Sequence, residues 1–133
     1  MKRITIVLLI IALAVALSSC ANKTTAPTGK TIGVSLLTKA HPFYQQMEKA
    51  MVEEAAKNNI TLRIQAAEND LGAQNSQMDD FITQKVDAIV VCPVDSASIV
   101  GAISRANAAK IPVFTADIAA KGGDVVCHIA SDN

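Results

Sequence analysis

Asp87-Ala88-Ile89-Val90-Val91-Cys92-Pro93-Val94-Asp95 is the stretch that decides the fold. Ala88 to Val91 are apolar at consecutive positions, so a strand over 87–91 needs cover on both faces, the pattern of a buried parallel strand. A loop follows, and Asp95 stands where it would cap a helix carrying Ile99, Ile103 and Ala106 on one face. The same unit repeats outward in both directions. Upstream, residues 31–37 (Thr-Ile-Gly-Val-Ser-Leu-Leu) predict a first strand. Pro42 sits at the first position of a helix, where its missing N–H costs nothing. Phe43, Met47, Ala50, Met51 and Ala55 then recur at helical spacing until Asn58-Asn59. Residues 60–66 alternate with period two, as suits an edge strand with one wet face. Asp70 is a candidate cap for a helix marked by Leu71, Met78, Phe81 and Ile82. Downstream, 111–115 and 125–129 predict a fourth and a fifth strand.

Strict alternation of strand and helix with short connections implies parallel strands and right-handed crossovers. The expected fold class is α/β, an open three-layer, doubly wound parallel sheet. Such sheets bind ligands at the carboxyl ends of their strands. The loops of interest are therefore Thr38–Pro42, Cys92–Asp95, Asp117–Gly123 and Ala130–Asn133.

The first twenty residues read differently. Lys2 and Arg3 precede an apolar, uncharged run from Ile4 to Leu17, and Ser18-Ser19 lead to Cys20. A charged start, an apolar segment and a small-residue zone make a secretory signal. The run is about 14 residues, short of the roughly 20 that span a bilayer core. Leu17-Ser18-Ser19-Cys20 resembles a bacterial lipobox, in which the Cys thiol is lipidated and becomes the new N-terminus. The expected division is a lipoprotein signal peptide over 1–19, a lipidated Cys20 with a small, polar tether over 20–30, and a folded lobe over 31–133. The mature protein is then exported and lipid-anchored at the cell envelope.

Twelve basic and twelve acidic residues balance in the 133-residue chain, so no footprint for nucleic acid or an anionic membrane surface is present. His41 and His128 stand far apart without the spacing of a metal site, and no phosphate loop, G-x-S-x-G or dinucleotide fingerprint occurs. No cofactor is expected. Aromatic residues are scarce, three Phe and one Tyr, yet Phe43 and Tyr44 are adjacent at a helix start. Aromatic faces stack on the C–H face of a sugar ring, although Phe43 also suits the helix core. Tyr44 carries a polar tip that can reach a ligand hydroxyl or water. Asp117, past the fourth strand and beside a glycine-rich loop, suits either a turn or the acceptor of two sugar hydroxyls. Ser131 is polar on the same rim.

In order and at these spacings, the motifs make a pattern. They are Ile32-Gly33-Val34, His41-Pro42-Phe43-Tyr44, Asp87 to Val91 with Pro93-Val94-Asp95, Ile111-Pro112-Val113 ending in Asp117, and His128 to Asn133. The chain resembles the ribose-binding-like family, the type I periplasmic sugar-binding proteins of ABC transporters. The resemblance implies the first lobe of a two-lobe binder with sheet order 2-1-3-4-5, no enzymatic activity, a small sugar or polyol as ligand, ABC permease subunits as partners, and a monomer when complete. It places Phe43 and Tyr44 on the family's ring-stacking pair, Asp117 on its hydroxyl-binding carboxylate, and Ser131 near the cleft rim. His41 and Cys92 fall where a ribose binder carries Asn, which makes them ligand-binding candidates too, and Ile118 falls where it carries Arg. Losing that Arg removes a planar multi-donor group and points to another pentose, a hexose, a sugar alcohol or another small polyol.

The implied sheet order also bears on the thiols. It sets the strands of Cys92 and Cys127 on either side of the fourth strand. Their Cα atoms are then roughly 9–10 Å apart at a strand spacing of about 4.8 Å, beyond the ~7 Å a disulfide spans. Both are expected as buried free thiols. The resemblance further implies that 31–133 stops near the first hinge crossing, before the second lobe. A different class of function, a small exported flavodoxin-like enzyme using Asp117 or His41, lacks a visible nucleophile–base pair. Sugar-responsive repressors share this lobe but carry a helix-turn-helix where this chain carries its export signal.

The leader makes a direct prediction. Wild-type protein should fractionate with membranes and Cys20→Ala should move to the soluble fraction; identical partitioning of both into the soluble fraction would contradict lipidation.

Overall fold

The computed structural model describes residues 29–131. The leader, Cys20 and the tether up to residue 28 lie outside the described residues, as do Asp132 and Asn133. The elements are β1 (Thr31–Leu36), α1 (Pro42–Lys57), β2 (Thr61–Ala66), α2 (Leu71–Thr83), β3 (Ala88–Val91), α3 (Val100–Ala108), β4 (Val113–Ala116) and β5 (Val125–Ile129). The five strands are all parallel in the order β2-β1-β3-β4-β5. Val34 stands level with Ile64 on one side and Val90 on the other. Between β4 and β5 the register shifts at a bulge near Val113 and Phe114.

Each helix covers the sheet for a local reason. On α1 the inward stripe is Tyr44, Met47, Met51 and Ala55, packed over Val34, Leu36 and Leu62. Ala50, expected on this stripe, is exposed, and Phe43 is half-exposed, because the stripe centres on Tyr44 instead. The other face holds the larger core: Met78 and Phe81 of α2 and Ala102, Ile103 and Ala106 of α3 over Ile89, Val91 and Val113. Leu71 lies at the exposed start of α2 rather than in that core. Asp70 caps α2 by accepting the Ala73 amide at 2.7 Å. Asp95 does not cap a helix directly. Its Oδ1 accepts the amides of Ala97 (3.0 Å) and Ser98 (2.7 Å), closing a turn, and regular helix begins at Val100.

The three helices end alike, with one residue in the left-handed region: Asn59 (φ 54°), Lys85 (φ 54°) and Lys110 (φ 61°). In each, the next residue, Ile60, Val86 or Ile111, donates its amide back to the helix, to Ala55, Phe81 or Ala106. This is the Schellman arrangement. It drops a hydrophobic residue straight towards the next strand. The fourth strand starts at Val113 rather than Ile111, since Pro112 has no N–H to pair, although its carbonyl accepts from Ile89. Lys30, the last residue of the expected tether, is already part of the fold. Its carbonyl accepts the Thr61 amide and its Nζ pairs with Asp87 at 2.8 Å.

Two buried glutamines join α2 to the strand ends. Gln74 donates to the Cys92 carbonyl at 2.9 Å and accepts the Val94 amide at 2.8 Å. Gln77 donates to the Ala66 carbonyl at 2.9 Å and accepts the Ser35 hydroxyl at 2.7 Å. Among the described residues, no buried side-chain nitrogen or oxygen lacks a partner.

At Gly33 the chain passes so close to Phe81 that a Cβ would lie 2.5 Å from the ring. Gly33→Ala should therefore lower stability by about 1–3 kcal/mol, as overpacking of a tight core does. Urea unfolding with an unshifted midpoint would contradict this contact.

Candidate functional site

The carboxyl ends of the strands gather the predicted residues on one rim. Thr38 to His41 connect β1 to α1, and the loop is fixed by Glu68. Glu68 accepts the Thr38 hydroxyl at 2.6 Å and the Lys39 amide at 3.0 Å. The Thr38 hydroxyl, then the Lys39 amide, hold its carboxyl below the usual range. Lys39 also reaches Glu48 of α1 at 2.8 Å. His41 caps α1: its Nδ1 accepts the Phe43 amide at 3.1 Å. That bond puts the proton of the neutral ring on Nε2. The imidazole thus does the capping work for which Asn is commonly used.

Capping directs the two aromatics apart. Phe43 is 39% exposed and Tyr44 only 5%. Their rings meet edge to face, centroids 5.2 Å apart at 81°. Tyr44 turns inward, and its hydroxyl donates to Asp117 Oδ2 at 2.5 Å. Burial foremost, and then this bond to a carboxylate, push the phenol well above its ordinary range. Asp117 follows β4 in a left-handed conformation (φ 65°), with its amide donating to the Ile129 carbonyl at 2.8 Å. The two residues, 73 positions apart, are one unit.

Cys92 lies beneath the rim rather than on it. It is fully buried, with Sγ 3.8 Å from Met47 Sδ. Burial, with the Asp117 charge second, pushes its thiol up to about 12. Cys127 is exposed on β5, contrary to the expectation of two buried thiols, because β5 is an edge strand exposed from Val126 to Ile129. Both cysteines are free, as expected. Ser131 is exposed and lines a groove of about 430 Å³ with Phe43, Met47, Ala116, Asp117 and Ile129. The groove runs on along the α1 face of the sheet through Met51 and Val90 into an apolar cleft beside Ile32 and Leu62. Asp117 is the charged residue at its rim end, and Glu54 stands at the mouth of the far cleft. Among the described residues no group of three His, Cys, Asp or Glu is arranged to hold a metal ion.

The rim thus brings together Phe43, Tyr44, Asp117 and Ser131, with His41 at the helix start and Cys92 below. The Glu68 clamp and the two glutamines were not anticipated. Gln74 and Gln77 carried a signal, two amides on the helical stripe that Met78 and Phe81 mark as buried. Glu68 carried none, since its φ of 50° belongs to a turn that no glycine announces.

The profile of a family described as periplasmic binding protein domain matches residues 32–133. The chain belongs to this family. As a member of the periplasmic binding protein family it shares 41% identity over 103 residues with the ribose import binding protein of Bacillus subtilis (strain 168). That match covers 77% of this chain and 34% of the relative. A xylitol-binding protein of Mycolicibacterium smegmatis is 32% identical over 124 residues, 92% of this chain and 35% of the relative. Among solved structures, an ABC transporter solute-binding protein of Bacillus halodurans C-125 with bound myo-inositol aligns at a TM-score of 0.66. It is 37% identical, over 74% of this chain and 34% of that one. The chain thus spans about a third of the length of these family members. The sheet order is that of type I periplasmic binding proteins, and the part matched is the N-terminal lobe.

The two thiols should behave oppositely. The thiolate is the reactive form, and Cys92 stays protonated until near pH 12. In neutral buffer iodoacetamide should label Cys127 and spare Cys92 until the protein unfolds. Peptide mass spectrometry showing equal labelling of the two in the native protein would contradict the burial of Cys92.

Proposed function

We propose that this chain is the ligand-binding N-terminal lobe of an ABC-importer substrate-binding protein for a small sugar or polyol. One observation carries the reading. The most exposed aromatic ring, Phe43, and the half-buried carboxylate of Asp117 line the same groove, at the strand ends where open α/β sheets take their ligands. An apolar ring face beside a charged acceptor suits a molecule with one C–H face and several hydroxyls. The family relatives support the class, being named for ribose and xylitol or solved with myo-inositol. They also support a transport protein rather than an enzyme.

In this reading Phe43 is the stacking surface, Asp117 the main hydrogen-bonding group, and Ser131 and His41 flank them. A second lobe closes over the rim and desolvates the ligand, and the closed form is what permease subunits receive. Cys20 is lipidated, and residues 21–28 tether the lobe at the envelope. No helix among the described residues is long and apolar enough to cross a membrane. Ile118 stands where the resemblance puts the Arg of a ribose binder, which favours another pentose, a hexose, a sugar alcohol or another small polyol over ribose.

The test is titration calorimetry of the full-length gene product with ribose, arabinose, xylitol and myo-inositol. One of these polyols should bind. Asp117→Ala should weaken it by roughly a hundredfold, since charge-assisted bonds contribute about 1.5–3 kcal/mol each and 1.4 kcal/mol is a factor of ten. An unchanged affinity in Asp117→Ala, or no binding of any of the four by the wild type, would overturn the assignment.

A further inference from the structure

On the reading that Asp117 meets a polyol, we propose that Tyr44 is a positioning residue for that carboxylate and not a second stacking ring. Its hydroxyl holds Oδ2, leaves Oδ1 to the ligand, and so sets which hydroxyl pattern the lobe accepts.

The geometry carries this in three steps. Tyr44 has little surface to offer a ligand: it is 5% exposed, with the Phe43 ring packed against it at 5.2 Å between centroids. Its hydroxyl instead meets Oδ2 at 2.5 Å, a short charge-assisted bond. Next, the backbone of Asp117 is fixed from the other direction. The left-handed φ of 65° and the amide bond to Ile129 leave the side-chain torsions as its remaining freedom. The terminal torsion of an Asp is broad and roughly two-fold, so a free carboxylate would present either oxygen. The Tyr44 bond removes that choice. Finally, the packing beneath the pair supplies only weak donors. Beneath the pair lie Cys92 and Met47, whose sulfurs face each other at 3.8 Å, and sulfur groups are weak partners. A phenylalanine at position 44 would fill the same space and leave the carboxylate free to turn.

The consequence is specificity. A carboxylate has about four lone-pair sites over two oxygens. With Oδ2 held, a vicinal diol chelating both oxygens is disfavoured relative to a single hydroxyl on Oδ1. Affinity is also raised, because an acceptor fixed in advance does not have to be ordered by the ligand.

The experiment is a double-mutant cycle in the full-length gene product, read by calorimetry with the tightest-binding of xylitol, myo-inositol, arabinose and ribose, and with the remaining three. Tyr44→Phe should weaken the best ligand about tenfold, the scale of one hydrogen bond to a charged group, and shrink the spread of affinities across the four. In an Asp117→Ala background the same substitution should change affinity less than about twofold, since nothing remains to be positioned. Thermal unfolding without ligand checks each fold. Should Tyr44→Phe lose its transition, Tyr44→Met is the second variant, with the same loss expected. An equal tenfold loss with and without Asp117 would mean that Tyr44 acts through packing, and would overturn the proposal. So would unchanged affinity and selectivity in Tyr44→Phe while Asp117→Ala loses binding; there the sugar-binding reading survives and the positioning role alone falls. If Asp117→Ala binds as well as wild type, or no polyol binds, both fall together.

Discussion

Everything at the rim starts from strand ends that two side-chain amides hold in place. Gln74 and Gln77, one turn apart on α2, bond to backbone groups at the last residue of β2 and just beyond β3, and to Ser35 in β1. These backbone groups lie where ladder pairing stops, and a buried polar group without a partner costs about 1–3 kcal/mol. Leaving any of them unpaired would penalise the fold enough to move the chain. With both amides in place, three loops leave the sheet from defined positions. An apolar residue at 74 would pack but orphan two backbone groups at once, and one at 77 would orphan the Ala66 carbonyl and leave the Ser35 hydroxyl without its acceptor.

From those ends the rim is built by a short chain of dependencies. Glu68 fixes the Thr38–Lys39 turn, the turn delivers His41 to the start of α1, and the imidazole cap sets the rotation at which Phe43 and Tyr44 enter the helix. That rotation sends one ring outward and the other to Asp117. The bond satisfies both groups: a buried Tyr44 hydroxyl without a partner would be a costly guest in an apolar layer. Between the rim and the far cleft the groove is walled by Met47, Met51 and Val90, so the carboxylate of Asp117 stands at the edge of an apolar floor.

Much of this was legible in the sequence, for identifiable reasons. The consecutive apolar run Ala88–Val91 could only be a doubly covered strand, and it is the central one. Pro42 and Asp70 announced helix starts in their own chemistry. The helix ends at Lys85 and Lys110 were not announced, because Lys in the left-handed region is held there by the returning amide and the hydrophobic residue after it, neither of which composition reveals. Ala50 was misplaced because alanine is as apolar as a core residue and as tolerable as a surface one. The sequence shows that the Tyr44 tip is polar but not that it meets Asp117, because the two lie 73 residues apart, a distance that the parallel sheet closes. Cys127 was read as buried because an apolar run looks the same in a central strand and at an edge.

The edge strand β5 carries a consequence for local opening. Among the described residues it pairs with β4 alone, through a bulge, and Ile129 is 58% exposed. Few apolar contacts hold it, so it belongs to the least protected part of the sheet, the part whose amides exchange with solvent first. The Asp117 amide bonds to Ile129, the last residue of that strand. Whenever β5 peels away, the carboxylate loses its backbone anchor as well. Occupancy at Asp117 and integrity of the sheet edge are therefore thermodynamically linked: a bound molecule that favours the anchored carboxylate also holds the strand down.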